Sequence, residues 1–74
     1  MLDVIYENRG IRVQGESSVF PCDLKLFSLT GQLILEKRLQ SDTEKVLVNQ
    51  KGVWIYQVQP KNGKVVKTDK IIIK

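Results

Sequence analysis

Histidine is missing from this sequence, and cysteine occurs once, at Cys22. Histidine is the most frequent general base and the most frequent metal ligand in proteins. Its absence excludes serine–histidine and cysteine–histidine catalysis within the chain, and it leaves Cys22 without a base that would activate the thiol. A single cysteine also excludes an internal disulfide framework. We expect Cys22 to be a small buried hydrophobic residue, with a reactive thiol as the less favoured alternative.

Motifs that hold metals or phosphates are missing as well. The sequence has no glycine-rich phosphate loop, no pair of cysteines and no calcium-loop pattern. Glu36, Asp42 and Glu44 lie close together in the chain, but nothing in the pattern indicates the buried, pKa-shifted pair that acid–base catalysis needs. We expect them to form a solvated rim. The sequence therefore predicts no catalytic residues, no metal site and no cofactor.

Long apolar runs are also absent. No run approaches the roughly 18 residues that span a bilayer, and residues 1–4 lack the basic and apolar regions of a signal peptide. We expect either a cytoplasmic protein or a fragment whose export signal lies elsewhere.

The residues that are present favour one small all-β domain over residues 1–74. Apolar residues alternate with polar ones at the period of strands, and no apolar stripe repeats at helical spacing. This pattern predicts an antiparallel β-sandwich of about seven strands, with a partly open barrel as the competitor. The predicted strands are residues 2–6, 10–14, 21–29, 32–39, 45–48, 53–59 and 64–73.

Glycine-containing turns indicate how the strands pair. Thr30-Gly31 predicts a hairpin over residues 21–39, and Asn62-Gly63 predicts a second over residues 53–73. Lys51-Gly52 is interpreted as the turn before that second hairpin. The residues predicted to form structural turns are thus Gly31, Gly52, Asn62 and Gly63. Alternation within residues 32–39 predicts that Leu33, Leu35 and Leu39 face the core, with Lys37 on the same face at a sheet edge.

Two features leave alternatives open. Trp54 and Tyr56 share one face of a strand, which favours packing in the core over a stacking platform for sugars or bases. Residues 1–60 carry no net charge, so the whole +4 lies in the last fourteen residues, in five lysines against Asp69. Such a basic hairpin can steer an encounter with an acidic surface, or the lysines can protect a sheet edge. Aromatic residues are too few there for a surface that binds single-stranded nucleic acid.

Three stretches together resemble the C-terminal sorting domain of type IX (Por) secretion cargo from Bacteroidetes. They are LKLFSLTGQLIL at residues 24–35, KGVWIYQV at residues 51–58, and NGKVV at residues 62–66 leading into KIIIK at residues 70–74. Their order, spacing and terminal position are similar to those of the family.

The resemblance implies an immunoglobulin-like sandwich that acts as an address for secretion and not as a catalyst. Cargo would cross the periplasm to the outer-membrane translocon, and a sortase-type peptidase would then remove the domain, typically attaching the cargo to lipopolysaccharide. The cargo is expected at the outer membrane or cell surface, or secreted. The expected partners are the translocon and the peptidase, with no nucleic acid and no transmembrane segment. The segment expected to be recognised comprises Lys70, Ile71, Ile72, Ile73 and Lys74.

A surface module that binds glycan or protein is the alternative function, with Trp54 and Tyr56 as its contacts to glycan. A basic barrel that binds nucleic acid ranks below both.

Overall fold

The computed structural model describes residues 2–7, 9–61, 63 and 67–74. These residues contain seven strands and one short 3-10 turn at Ser17–Val19. Each strand lies where alternation predicted one, and the described bounds agree with the predicted ones to within two residues. The predicted beginning of the last strand at residues 64–66 and the predicted turn residue Asn62 lie outside the described residues. The strands are β1 (Asp3–Glu7), β2 (Gly10–Gln14), β3 (Cys22–Phe27), β4 (Leu33–Leu39), β5 (Lys45–Leu47), β6 (Gly52–Pro60) and β7 (Lys67–Ile73).

The strands form two antiparallel sheets. One has three strands in the order β1-β2-β5, and the other has four in the order β4-β3-β6-β7. Both predicted hairpins are present, since β3 pairs with β4 and β6 pairs with β7. Two separate sheets enclosing one core are the arrangement of a β-sandwich, so the predicted fold class is confirmed.

The core lies between the two sheets and follows the alternation of the strands. In β3, Cys22, Leu24 and Leu26 are buried while the residues between them are not. Cys22 is 2% exposed, as its interpretation as a small buried hydrophobic residue requires. The other buried hydrophobic residues are Ile11, Val13, Leu39, Val46, Val48, Tyr56, Val58 and Ile73.

One prediction about β4 is wrong. Leu39 is buried and Leu35 packs against the core, but Leu33 is 48% exposed. Leu35 pairs with Leu26 and Leu33 pairs with Phe27, so Ile34 is an extra residue in a β-bulge. A bulge shifts the alternation by one residue, which turns Leu33 onto the face that Phe27 occupies. Lys37 is exposed on the edge strand β4, opposite the buried Leu24, as the alternation predicted.

The β3–β4 turn has the geometry that its glycine predicted. The Gly31 N–H donates to the Ser28 carbonyl at 2.9 Å, the Ser28 N–H donates to the Gln32 carbonyl at 2.9 Å, and Gly31 has φ +92°. Gly63 has φ +73°, and its N–H donates to the Pro60 carbonyl at 2.9 Å. Gly52 differs from its prediction, because it is the first residue of β6 and pairs with Ile73 instead of lying in a turn.

Replacing Gly31 or Gly63 by alanine should cost about 1 kcal/mol of unfolding free energy. A Cβ atom at either position would meet nothing within 4 Å, so the cost comes from the positive φ alone. Chemical denaturation of each variant measures it. Ser18→Ala, on the exposed 3-10 turn, is the control. Unchanged stability in both glycine variants would contradict the assigned backbone conformation.

Candidate recognition surface

The segment predicted to be recognised forms the end of the edge strand β7. Its three isoleucines alternate across the sheet: Ile73 is 2% exposed, Ile71 packs against the core, and Ile72 is 59% exposed. Ile71 pairs with Trp54, Ile72 with Val53 and Ile73 with Gly52. The same short segment therefore completes the core with two side chains and presents a third to solvent.

Contacts with β1 hold strand β7 against the other sheet. The Tyr6 hydroxyl donates to the Lys74 carbonyl at 3.4 Å, and Lys67 Nζ lies 3.9 Å from Asp3 Oδ1. These two contacts join the two ends of β7 to β1 across the gap between the sheets. Both are partly exposed and individually weak, so β7 depends on its hydrogen bonds to β6 and on the burial of Ile73.

Cationic side chains collect at the end of the sandwich where β7 finishes. A depression of about 240 Å³ there is lined by Arg9, Lys51 and Lys74 together with Tyr6, Val48, Asn49 and Ile73. Lys70 is exposed on β7 nearby in the sequence. In the part of the chain that the structure describes, none of these four cations has a carboxylate oxygen within 4.0 Å. Their charges are therefore available to an acidic partner.

Trp54 and Tyr56 do not form an exposed stacking platform. Tyr56 is 5% exposed, and Trp54 is half-buried against the core, with its Nε1 donating to the Gln50 carbonyl at 3.2 Å. One side of Trp54 borders a groove of about 220 Å³ at the β4–β5 side of the sandwich, together with the apolar residues Leu26, Ile34, Leu35 and Leu47. The burial of the two rings agrees with packing in the core. Trp54 and Tyr56 therefore do not provide the pair of exposed aromatic rings that a glycan-binding function would need.

The three neighbouring carboxylates lie at the surface. Glu36 forms an ion pair with Lys25 at 3.7 Å, and Glu44 accepts the Gln40 N–H at 2.8 Å. Asp42 borders a depression of about 160 Å³. Over residues 2–7, 9–61, 63 and 67–74, no three metal-binding side chains gather in a cluster, and no helix is long and apolar enough to cross a membrane.

Burial raises the pKa of the two inward-facing titratable groups of β3 and β6. Burial, and after it the charges of Asp23 and Glu44, raises the pKa of the Cys22 thiol above its ordinary value. Burial, followed by the charges of Asp69 and Asp3, raises the pKa of Tyr56 in the same way. A buried thiol with a raised pKa is a poor nucleophile, so the reactive-thiol alternative for Cys22 has no support.

Comparison with protein families assigns the chain. A family model for the secretion system C-terminal sorting domain matches residues 7–74. The chain belongs to this family. The match extends beyond the stretches at residues 24–74 that carry the resemblance, and it includes β2. Searches of curated proteins and of solved structures find no match.

Membership supports a role of this sorting domain as a signal for type IX secretion. It implies interaction with the type IX machinery and export toward the outer membrane, the cell surface or the medium.

Sequence reasoning missed the apolar residues on the solvent side of the four-stranded sheet of the sorting domain. Phe27, Leu33, Val53 and Ile55 belong there with Ile72, by alternation and register. A signal was present, because Val53 to Tyr56 and Ile71 to Ile73 are uninterrupted apolar runs. A strand with apolar residues on both faces either packs against other parts of the protein on both faces or exposes one apolar face to solvent. The two runs therefore indicated that an apolar face of this sheet could be exposed.

Trp54→Ala should lower the unfolding free energy by about 2 to 3 kcal/mol, less than for a fully buried tryptophan because the ring is half-buried. Trp54→Phe keeps most of the packing but loses the hydrogen bond to Gln50, so it should cost about 1 kcal/mol. Denaturation measures both losses. Emission of the native domain at the wavelength of the unfolded chain would contradict the packing of this ring.

The sorting domain should lose stability as the pH rises above about 8.5, where an unfolded cysteine ionises. The pKa values of Cys22 and Tyr56 are raised in the folded domain, so the unfolded chain loses these two protons at a lower pH than the folded domain does. The stability that the neutral side chains contribute is therefore lost as the pH rises through the folded pKa values. Urea unfolding between pH 7 and pH 11 measures the slope. The double variant Cys22→Ala/Tyr56→Phe should show a smaller slope than the parent, and an equal slope would contradict the assignment.

Proposed function

We propose that this domain directs an attached cargo to the type IX outer-membrane translocon and is then removed by a sortase-type peptidase. In this proposal residues 1–74 are one domain that forms the C-terminal module of a larger exported protein. The cargo crosses the periplasm before it reaches the translocon. The domain itself performs no catalysis, and cleavage takes place on the amino-terminal side of the folded sandwich.

The observation that supports the proposal is that the segment from Lys70 to Lys74 both completes the core and presents exposed side chains. Ile73 belongs to the core, so the segment takes its position only when the sandwich has folded. Ile72, Lys70 and Lys74 are exposed on the same segment. A receptor that contacts them would recognise both a local sequence and a completed fold. Such recognition suits an address, because an unfolded module would not present it.

A glycan-binding function is the weaker candidate. It would need the aromatic rings of Trp54 and Tyr56 at the surface, and the burial of Tyr56 removes half of that platform. The four cations and the exposed isoleucine fit a protein partner better, since apolar contacts within a charged rim are typical of protein interfaces.

Adding a small folded tag after Lys74 should prevent export of a fused reporter in a host with type IX machinery, while the domain stays folded. Lys74 is exposed, so the tag does not enter the core, but it covers the segment proposed to be recognised. Secretion is measured by the amount of reporter outside the cell, and the mass of exported reporter shows whether the domain has been removed. Circular dichroism of the isolated domains checks that they are folded.

The matched control carries the same tag between the reporter and the domain, where it leaves Lys70–Lys74 accessible, and it should be exported. Deleting residues 72–74 is a less specific test, because it also removes the buried Ile73. If the fusion tagged after Lys74 is folded and exported as well as its control, recognition of this segment is refuted.

A further inference from the structure

The four-stranded sheet has an outer face, which is the side turned away from the three-stranded sheet. Alternation in β3 places Asp23, Lys25 and Phe27 on this face, because Cys22, Leu24 and Leu26 point into the core. The register then assigns the neighbours of each. Phe27 lies opposite Leu33 on β4 and Ile55 on β6, Ile55 lies opposite Lys70 on β7, and Val53 lies opposite Ile72.

Apolar side chains from all four strands therefore meet at one end of the outer face. We name Leu33, Phe27, Ile55, Val53 and Ile72 the outer patch. Ile72 is 59% exposed, Leu33 is 48% exposed and Val53 is 40% exposed, while Phe27 and Ile55 are half-buried between them. Isolated apolar residues on a surface need no explanation, but a contiguous group of them is typical of an interaction site.

The charges around the outer patch are arranged unequally. Toward the other end of the face, Lys25 pairs with Glu36 at 3.7 Å and Arg38 pairs with Asp23 at 3.1 Å. At the edge of the patch, Lys70 lies opposite Ile55, and Lys51 and Lys74 lie just beyond the last pair of the β6–β7 ladder, Gly52 with Ile73. Among the described residues these three lysines have no carboxylate within 4.0 Å. The patch is thus bordered by paired charges on one side and by unpaired positive charges on the other.

A second copy of the domain is a poor occupant for this surface. The carboxylates on the outer face, Asp23 and Glu36, already bind Arg38 and Lys25, and Asp69 lies on the inward side opposite Tyr56. Over the described residues, a second outer face would bring another unpaired Lys70 and no unpaired carboxylate side chain. A standard protein interface takes about 800 Å² from each partner. This is roughly one sixth of the 4933 Å² surface of the domain, so any occupant of the patch would also meet the lysines around it.

We propose that the outer patch is the docking surface for a protein of the export machinery that presents apolar side chains flanked by carboxylates. This inference rests on the proposed sorting function and extends the contact surface from the end of β7 to all four strands of the sheet. The apolar side chains form the centre of the interface, and Lys51, Lys70 and Lys74 pair with the carboxylates at its rim.

Substitutions outside the terminal segment distinguish the patch from the segment. Leu33→Glu removes one apolar side chain of the patch and places a carboxylate at the apolar centre of the proposed interface. The matched control, Leu47→Glu, makes the same change at an exposed leucine away from the patch. We expect the first variant to export a fused reporter about tenfold less than the parent and the control to export within about twofold of it. Thermal melts monitored by circular dichroism establish that both variants are folded.

Photo-crosslinking in exporting cells identifies the occupant. A photoreactive amino acid replaces Gln57, which lies on the outer face two residues from Ile55 and leaves the patch intact, or Gln14 on the other sheet as the control. We expect an adduct from position 57 with a protein whose removal stops export. The adduct should be absent from position 14 and absent when Leu33→Glu is also present.

Several results would overturn the proposal. They are an adduct between two copies of the domain, no adduct from position 57, and export of Leu33→Glu at the parent's level. Binding of the domain to phosphatidylglycerol vesicles that is lost in this variant would assign the patch to a membrane instead. If the tag after Lys74 stops export but the patch variant does not, the sorting function stands and the outer patch is refuted. If the unmodified domain exports nothing, the sorting function fails.

Discussion

Strict alternation in the two central strands of the four-stranded sheet is the constraint on which the rest of the domain depends. β3 and β6 pair along their length, and their inward residues supply much of the core. A domain of 74 residues has a small core, and it has no disulfide to supplement it. Loss of any inward side chain on these strands is therefore strongly destabilising. Residues that contact a partner are confined to the outward-facing positions of the strands and to the sheet edges.

This constraint explains how much of the structure could be predicted from the sequence. Alternation located all seven strands, and Gly31 identified the β3–β4 hairpin because the chain needs a positive φ where it reverses. The bulge at Ile34 could not be predicted, because an uninterrupted apolar run such as Leu33 to Leu35 has no apolar–polar alternation that an extra residue would interrupt. Gly52 was interpreted as a turn residue for a similar reason, since glycine marks unusual backbone conformation without saying whether a strand continues through it.

The candidate site was predictable only in part. The position of the basic segment followed from counting charges, and the outward direction of one isoleucine followed from alternation. The outer patch depends on the register of three strand pairs, and register is a long-range property that a single sequence does not express directly. The depression between Arg9, Lys51 and Lys74 likewise brings together residues from three separate parts of the chain. Prediction was best where the information was local in sequence.

If Lys70–Lys74 is recognised as proposed, the recognised strand also completes the core, and this has an energetic consequence. Burial of Ile73 is worth a few kcal/mol, which is a large share of the stability of a domain this small. Loss of β7 from the sheet would therefore both destabilise the sandwich and withdraw Lys70, Ile72 and Lys74 from their positions. The fraction of molecules that expose Lys70–Lys74 in this arrangement is then close to the fraction of molecules that are folded. A sorting signal built in this way depends on the folded state of the whole domain.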